Sequence, residues 1–261
     1  MLQIGNDVYC DTQLIARILD ERCSEPSLFP SGLDFYTNTL AAWADSTLFQ
    51  CAVAVANDGD GLGRALGISD SAELEAFRRD RAAFRQGSTV HRPPAAEARV
   101  QLGVYCRRLE LQLADGRDFL SGFEPTLVDF CVYHPLWFLL RANPDALNGF
   151  SALDAWFVRM SEFGNGKSTE ISSAEALEIA RRTAPATLDR RFHQEGREFA
   201  SGDTVEITPT DYGFDPSAGD IVMFDANEVA IYRRDPRAGE VLVHFPRIGY
   251  HIRKIETGPG L

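Results

Sequence analysis

Apolar residues recur with helical spacing through most of this chain and with strand-like spacing near its two ends. Residues 35–56 form a long apolar run carrying Trp43, Leu48, Phe49 and Val53, which predicts one long helix. Residues 72–85 set Leu74, Phe77, Arg81 and Phe84 at i, i+3, i+7 and i+10, with Asp70 and Glu73 spaced as a capping box. Leu102, Tyr105, Leu109 and Leu113 repeat that stripe in the next helix. Phe150, Leu153, Trp156, Phe157 and Met160 make another, and Ser172 with Glu175 caps a shorter one. Helices joined by short polar loops predict a bundle-like domain.

The ends read differently. Leu2-Gln3-Ile4, a Gly5-Asn6-Asp7 turn and Val8-Tyr9-Cys10 predict two short strands, followed by a helix opened by Asp11-Thr12. Two strands alone are marginal, and their edges need partners. The first strand is expected to lack a neighbour on one edge, which lowers stability and invites pairing with another chain. A loop dense in Pro, Ser and Gly, residues 25–32, marks a domain boundary. After Gly202 the runs 204–207, 221–224, 229–233, 241–245 and 250–255 are short and β-branched, separated by Gly, Pro, Asp and Asn. They predict a small antiparallel sheet or barrel.

Composition narrows the picture. The chain has 261 residues, 44% of them hydrophobic, room for one large domain or two smaller ones. Its net charge of −12 argues against a nucleic-acid partner, which needs a basic surface. Five cysteines, widely spaced and without a CxxC pair, suit free thiols in a reducing cytoplasm. No apolar run approaches a membrane span, and no signal peptide is visible.

Two glycine-rich stretches fail as nucleotide motifs. Residues 161–168 nearly spell a P-loop, but Ser161 replaces the first Gly and a helix precedes the segment. They read as a helix C-cap and loop. Residues 59–64 end in Arg64 where a dinucleotide fingerprint needs Gly, and read as a flexible interhelical loop. The five histidines have no metal-ligand spacing, so no metal is expected. Arg181, Arg182, Arg190, Arg191 and Arg197 read as a solvated helix face. Cys10, just before a helix N-terminus, is either a buried apolar group or a thiol whose thiolate the helix dipole favours. Asp11 and Thr12 either cap the helix or, with its free N–H groups, hold the zwitterionic end of an amino acid.

The strand–turn–strand followed by Asp11-Thr12 resembles the second half of the thioredoxin-like domain of glutathione transferases. Leu28-Phe29-Pro30 resembles that family's linker, and Thr126-x-x-Asp129 its helix-capping box. The resemblance covers about residues 2–185 and implies a mainly α fold with α+β parts. Residues 1–26 would be a partial thioredoxin-like, glutathione-binding domain and 33–185 an all-helical C-terminal domain. Residues 200–256 would add a small antiparallel β module, similar to an extension in some bacterial members. It also implies that Asp11 and Thr12 bind the γ-glutamyl end of glutathione as co-substrate, and that Trp43, Phe49 and Trp137 flank a second-substrate pocket. A cytoplasmic homodimer acting on a small electrophile is the expected form.

The family's opening strand–helix–strand, which carries the catalytic Tyr, Ser or Cys, has no match here. The expectation is therefore an incomplete version, from a downstream start, of an enzyme for glutathione conjugation or glutathione-dependent reduction. The alternative is a non-catalytic binding or scaffold protein on the same fold. A third reading makes Cys10 the nucleophile of a thiol reductase.

Overall fold

A computed structural model describes residues 1–23, 25–183 and 198–255. Contacts divide the chain into two units, one holding Met1–Ile18, Phe84–Thr89 and the chain from Ser168 onward, the other Leu19–Ala83 and Val90–Lys167. The fold is mainly α with an added sheet, as the pattern predicts.

In the first unit, β1 (Leu2–Ile4) and β2 (Asp7–Tyr9) form the expected hairpin, and α1 (Thr12–Arg22) follows. The later strands are β3 (Thr204–Pro209), β4 (Ser217–Phe224), β5 (Glu228–Asp235), β6 (Gly239–Pro246) and β7 (Tyr250–Lys254). These five pair antiparallel with one another, but they do not stand alone. One seven-stranded sheet runs β1-β2-β6-β5-β4-β3-β7, with β2 parallel to β6. The hairpin thus completes the C-terminal strands, and the sheet is mixed where an antiparallel module of residues 200–256 was expected. The pairing satisfies β2's second edge: Leu242 N–H donates to the Asn6 carbonyl at 3.1 Å and Cys10 N–H to that of His244 at 2.9 Å. Among the described residues, β1 keeps one edge without a strand.

Val205, Ile207, Ile221, Val229 and Ile231 alternate inward and are fully buried, which is why these short runs form strands. α9 (Ser173–Arg182) lies against the hairpin and β6. Gln3 Nε2 donates to the Ala176 carbonyl at 2.9 Å, and Arg181 donates to the Pro236 carbonyl at 3.2 Å. The Ser172–Glu175 box closes on both sides, at 2.7 Å and 3.2 Å. Of the arginine series, Arg190, Arg191 and Arg197 lie outside the described residues.

The second unit is the helical bundle. The long apolar run is α2 (Asp34–Trp43), a π-helical turn (Ala44–Leu48) and α3 (Phe49–Ala56). Its length and apolarity would suit a bilayer span, but half of it is buried inside the protein, where Ala44, Leu48, Cys51 and Ala52 meet other helices. Those are α6 (Ala95–Leu113) and α7 (Leu127–Ala142), and α8 (Ser151–Ser161) packs on both. Leu102, Leu109, Leu113, Leu153, Trp156 and Met160 are buried, as their stripes require.

Two local expectations change. α4 (Gly61–Leu66) is a helix where a flexible loop was expected. A Cβ on Gly61 would stand 2.6 Å from the Ala56 carbonyl oxygen, so this glycine serves close packing, not flexibility. α5 (Ser71–Phe84) is capped by Asp70, which accepts from the N–H of Ala72 and Glu73 at 2.7 and 2.9 Å, yet none of its residues is buried. Its apolar stripe is therefore not a core face. Residues 161–168 do form a helix end and loop, with Gly164 and Gly166 at positive φ.

Asp129 organises the start of α7. Fully buried, its carboxylate accepts from Thr126 N–H at 2.9 Å, Leu120 N–H at 2.8 Å and the Trp156 indole at 3.0 Å. Leu127 N–H donates to the Leu28 carbonyl at 3.0 Å, which ties the linker to the same helix start.

Candidate functional site

Asp11 and Thr12 stand where β2 ends and α1 begins, both exposed. Asp11 takes φ +73°, a left-handed conformation that no other non-glycine among the described residues adopts. Such a backbone costs about 1–2 kcal/mol outside glycine and is concentrated at functional positions. It turns the chain sharply so that the Asp11 carboxylate faces the first turn of α1, where it accepts from Gln13 N–H at 2.9 Å. The Thr12 hydroxyl and the open helix N-terminus lie beside it, a setting that suits a carboxylate and an ammonium together. Tyr250, at the first position of β7, lies near enough to Asp11 to feel its charge. Burial first, then the negative charge of Asp11, pushes the Tyr250 phenol up, so it stays protonated. Pattern reading missed Tyr250, whose nearness to Asp11 arises from folding alone.

The surroundings of Cys10 disfavour a thiolate. Burial pushes its thiol up, the chain's amino group offsets this in part, and Asp11 adds to it. Desolvation thus works against the thiolate that the thiol-reductase reading needs.

Close by in the sheet, His244 is buried between two acids. Its Nε2 meets Asp7 Oδ1 at 2.9 Å, its Nδ1 meets Glu228 Oε1, and the Tyr9 ring stacks on it at 4.4 Å. The carboxylates sit on opposite nitrogens of one ring and cannot converge on an ion. No group of His, Cys, Asp and Glu among the described residues is arranged to hold a metal.

The helical unit carries a cavity of about 290 Å³ between α2, α6 and α7. Leu40, Leu109, Leu120, Val128 and Val132 give it an apolar lining. Trp43 and Tyr105 meet edge to face at 5.2 Å on its wall, and Tyr36, Arg108 and Gln112 supply the polar atoms. Trp43 is thus at the cavity. Phe49 instead stacks on His134 at 5.8 Å, and Trp137, 41% exposed, carries the Arg141 guanidinium over its ring at 5.1 Å. Neither lines this cavity. The Tyr36–Leu40–Trp43 and Tyr105–Arg108–Gln112 spacings were legible as helix faces, but which faces meet was not.

The sequence model of the glutathione S-transferase C-terminal domain matches residues 78–163. A solved GST-like protein from Pseudomonas syringae is 32% identical, superposes with a TM-score of 0.78 and aligns over 97% of this chain and 80% of its own. The chain belongs to the glutathione S-transferase family. More distant are solved glutathione S-transferases from Rhodospirillum rubrum F11 and Actinobacillus pleuropneumoniae. The first is 17% identical over 66% of this chain and 72% of its own, with a TM-score of 0.40. The second is 18% identical over 68% and 63%, with a TM-score of 0.35. No match was found among curated proteins. The Thr126–Asp129 box of this glutathione S-transferase-like chain serves the fold, since Asp129 ties Thr126, Leu120 and Trp156 together in the core.

Proposed function

We propose that this protein binds glutathione as a co-substrate, the γ-glutamyl end on Asp11 and Thr12, and serves glutathione conjugation or glutathione-dependent reduction of a small electrophile. The observation that carries this reading is the left-handed Asp11 at an exposed helix start, a strained backbone kept where a short cap would fold without it. Asp11 would receive the ammonium, while the Thr12 hydroxyl and the first N–H groups of α1 would receive the carboxylate. Tyr250, near Asp11, keeps its own proton.

We take residues 1–26 as the glutathione-binding segment, 33–185 as the helical domain and 200–256 as the strands that carry the added sheet. The electrophile is read as meeting the aromatic side chains of the helical domain, Trp43 first, with Phe49 and Trp137 as the other candidates. A homodimer in the cytoplasm is part of the proposal. The five cysteines, none in a disulfide among the described residues, suit a reducing compartment.

Isothermal titration of the purified chain with glutathione tests the reading. Binding in the wild type, and its loss in Asp11→Ala with the fold intact, is the expected result. Equal binding by both proteins would overturn it.

A further inference from the structure

The later strands bring a side chain to the Asp11 corner. In the strand order β6 and β7 stand four places apart, about 19 Å in a flat sheet at the usual strand spacing. Only residues 247–249 join them, and the four Cα steps from Pro246 to Tyr250 reach about 14 Å at most. The sheet must therefore curl, and the Phe245 and Tyr250 rings do meet, at 5.3 Å.

The curl carries the start of β7 to the end of β2. β2 and β6 run side by side in parallel, with Tyr9 opposite His244, so Asp11 and Pro246 lie beyond the same end of the sheet. Cys10 N–H donates to the His244 carbonyl at 2.9 Å. Cys10 and Tyr250 both pack against the buried cluster that holds Phe245. Gly249, at φ +88°, makes the turn just before Tyr250. Its carbonyl accepts from the Thr210 N–H at 3.0 Å and the Thr210 hydroxyl at 3.1 Å, which fixes where β7 begins.

Asp11 can use such a neighbour. Its side chain stands on an exposed corner, where Oδ1 takes the Gln13 N–H and Oδ2 can accept a second donor. A carboxylate held at both oxygens is fixed in its plane, so it meets an ammonium with less loss of side-chain freedom. Burial, then the charges of Asp11, Cys10 and Asp211, keep the proton on the Tyr250 phenol, which makes it a donor.

We propose that Tyr250 is a positioning residue of the glutathione corner: its O–H donates to the Asp11 carboxylate and aims it at the ammonium of the γ-glutamyl group. The role rests on the glutathione reading of Asp11, and it gives the strands after residue 200 a part in the site. Because Tyr250 acts through Asp11, its effect falls on the ammonium and spares the rest of the ligand.

The test is isothermal titration of the full chain with glutathione and with glutaryl-cysteinylglycine, which carries hydrogen in place of the ammonium. The wild type is expected to prefer glutathione by about tenfold or more. Tyr250→Phe keeps the ring beside Phe245, so its thermal unfolding should match the wild type. It should bind glutathione about fivefold more weakly and the analogue as the wild type does, a split that a merely structural role would not produce. In an Asp11→Asn background the same substitution should cost nothing further. Unchanged glutathione binding in Tyr250→Phe, an equal loss for both ligands, or a further loss in Asp11→Asn overturns the proposal and leaves the Asp11 reading standing. A wild-type chain that binds no glutathione overturns both.

Discussion

Asp7 in β2 and His244 in β6 are joined by a 2.9 Å contact across the only parallel strand pair among the described residues. On its other side the imidazole meets Glu228 of β5, so one side chain spans three neighbouring strands. Burial opposes the charged ring, but the bonds to Asp7 and Glu228 outweigh it and raise the histidine above 6.5.

The sign of the pH dependence follows. A group whose folded value is raised adds stability in full below its unfolded value and loses it as pH rises through the folded one. The midpoint temperature of unfolding should therefore fall as pH rises above about 6.5 in the wild type, and less so in His244→Gln. Parallel profiles for the two proteins would remove His244 as the cause. His244→Ala, which leaves two largely buried acids without their partner, should cost roughly 3 kcal/mol at pH 6 in denaturant unfolding.

Asp129 carries the start of the central helix. Asp129→Ala strands the N–H groups of Thr126 and Leu120 and the Trp156 indole in the core, and should cost about 3–5 kcal/mol. Asp129→Asn keeps one acceptor oxygen and should lose less. Equilibrium urea unfolding checks both, and a loss under about 1 kcal/mol in the alanine variant would contradict the arrangement.

Stability and binding should separate at Asp11. Glycine accepts φ +73° without strain and costs only a few tenths as a cap, so Asp11→Gly should be as stable as the wild type. Asp11→Ala keeps the strain and loses the cap, and should be about 1–2 kcal/mol less stable. Both should bind glutathione at least about tenfold more weakly. A glycine variant with full affinity would mean that the carboxylate is only a cap.

Thiol reactivity should follow burial. Iodoacetamide at neutral pH should label exposed Cys23 first, Cys10 slowly, and Cys106, whose thiol burial pushes up to about 11, last. Mass-spectrometric mapping of the labelled peptides reads the order. Fast labelling of Cys10 would restore it as a candidate nucleophile.

Gly61→Ala should cost about 1–3 kcal/mol, since its methyl meets the Ala56 carbonyl at 2.6 Å and neither backbone segment yields cheaply. A neutral result in thermal unfolding would mean that α4 shifts freely.

Local rules carried much of this fold. Capping at Ser172–Glu175 and Thr126–Asp129 acts over three residues, and the stripes of α6 and α8 act over one or two turns, so both are written in short windows. The same windows misjudged residues 59–64, where glycine means close approach and not a loop, and α5, whose stripe has the period of a core helix but stays unburied. Asp11 was legible as a site residue because cap, turn and hydroxyl are adjacent. Its left-handed backbone and its nearness to Tyr250 were not, because they belong to the folded chain.

The sequence by itself determined the helices, their caps, the strand pair at the start and the Asp11-Thr12 corner, since each depends on neighbours a few residues apart. Tertiary structure alone decided that β2 runs parallel beside β6, that Asp7 finds His244 across 237 positions, and that Tyr36, Trp43 and Arg108 meet around one acid-free cavity. Those outcomes depend on which surfaces come together, and no short stretch of chain encodes that choice.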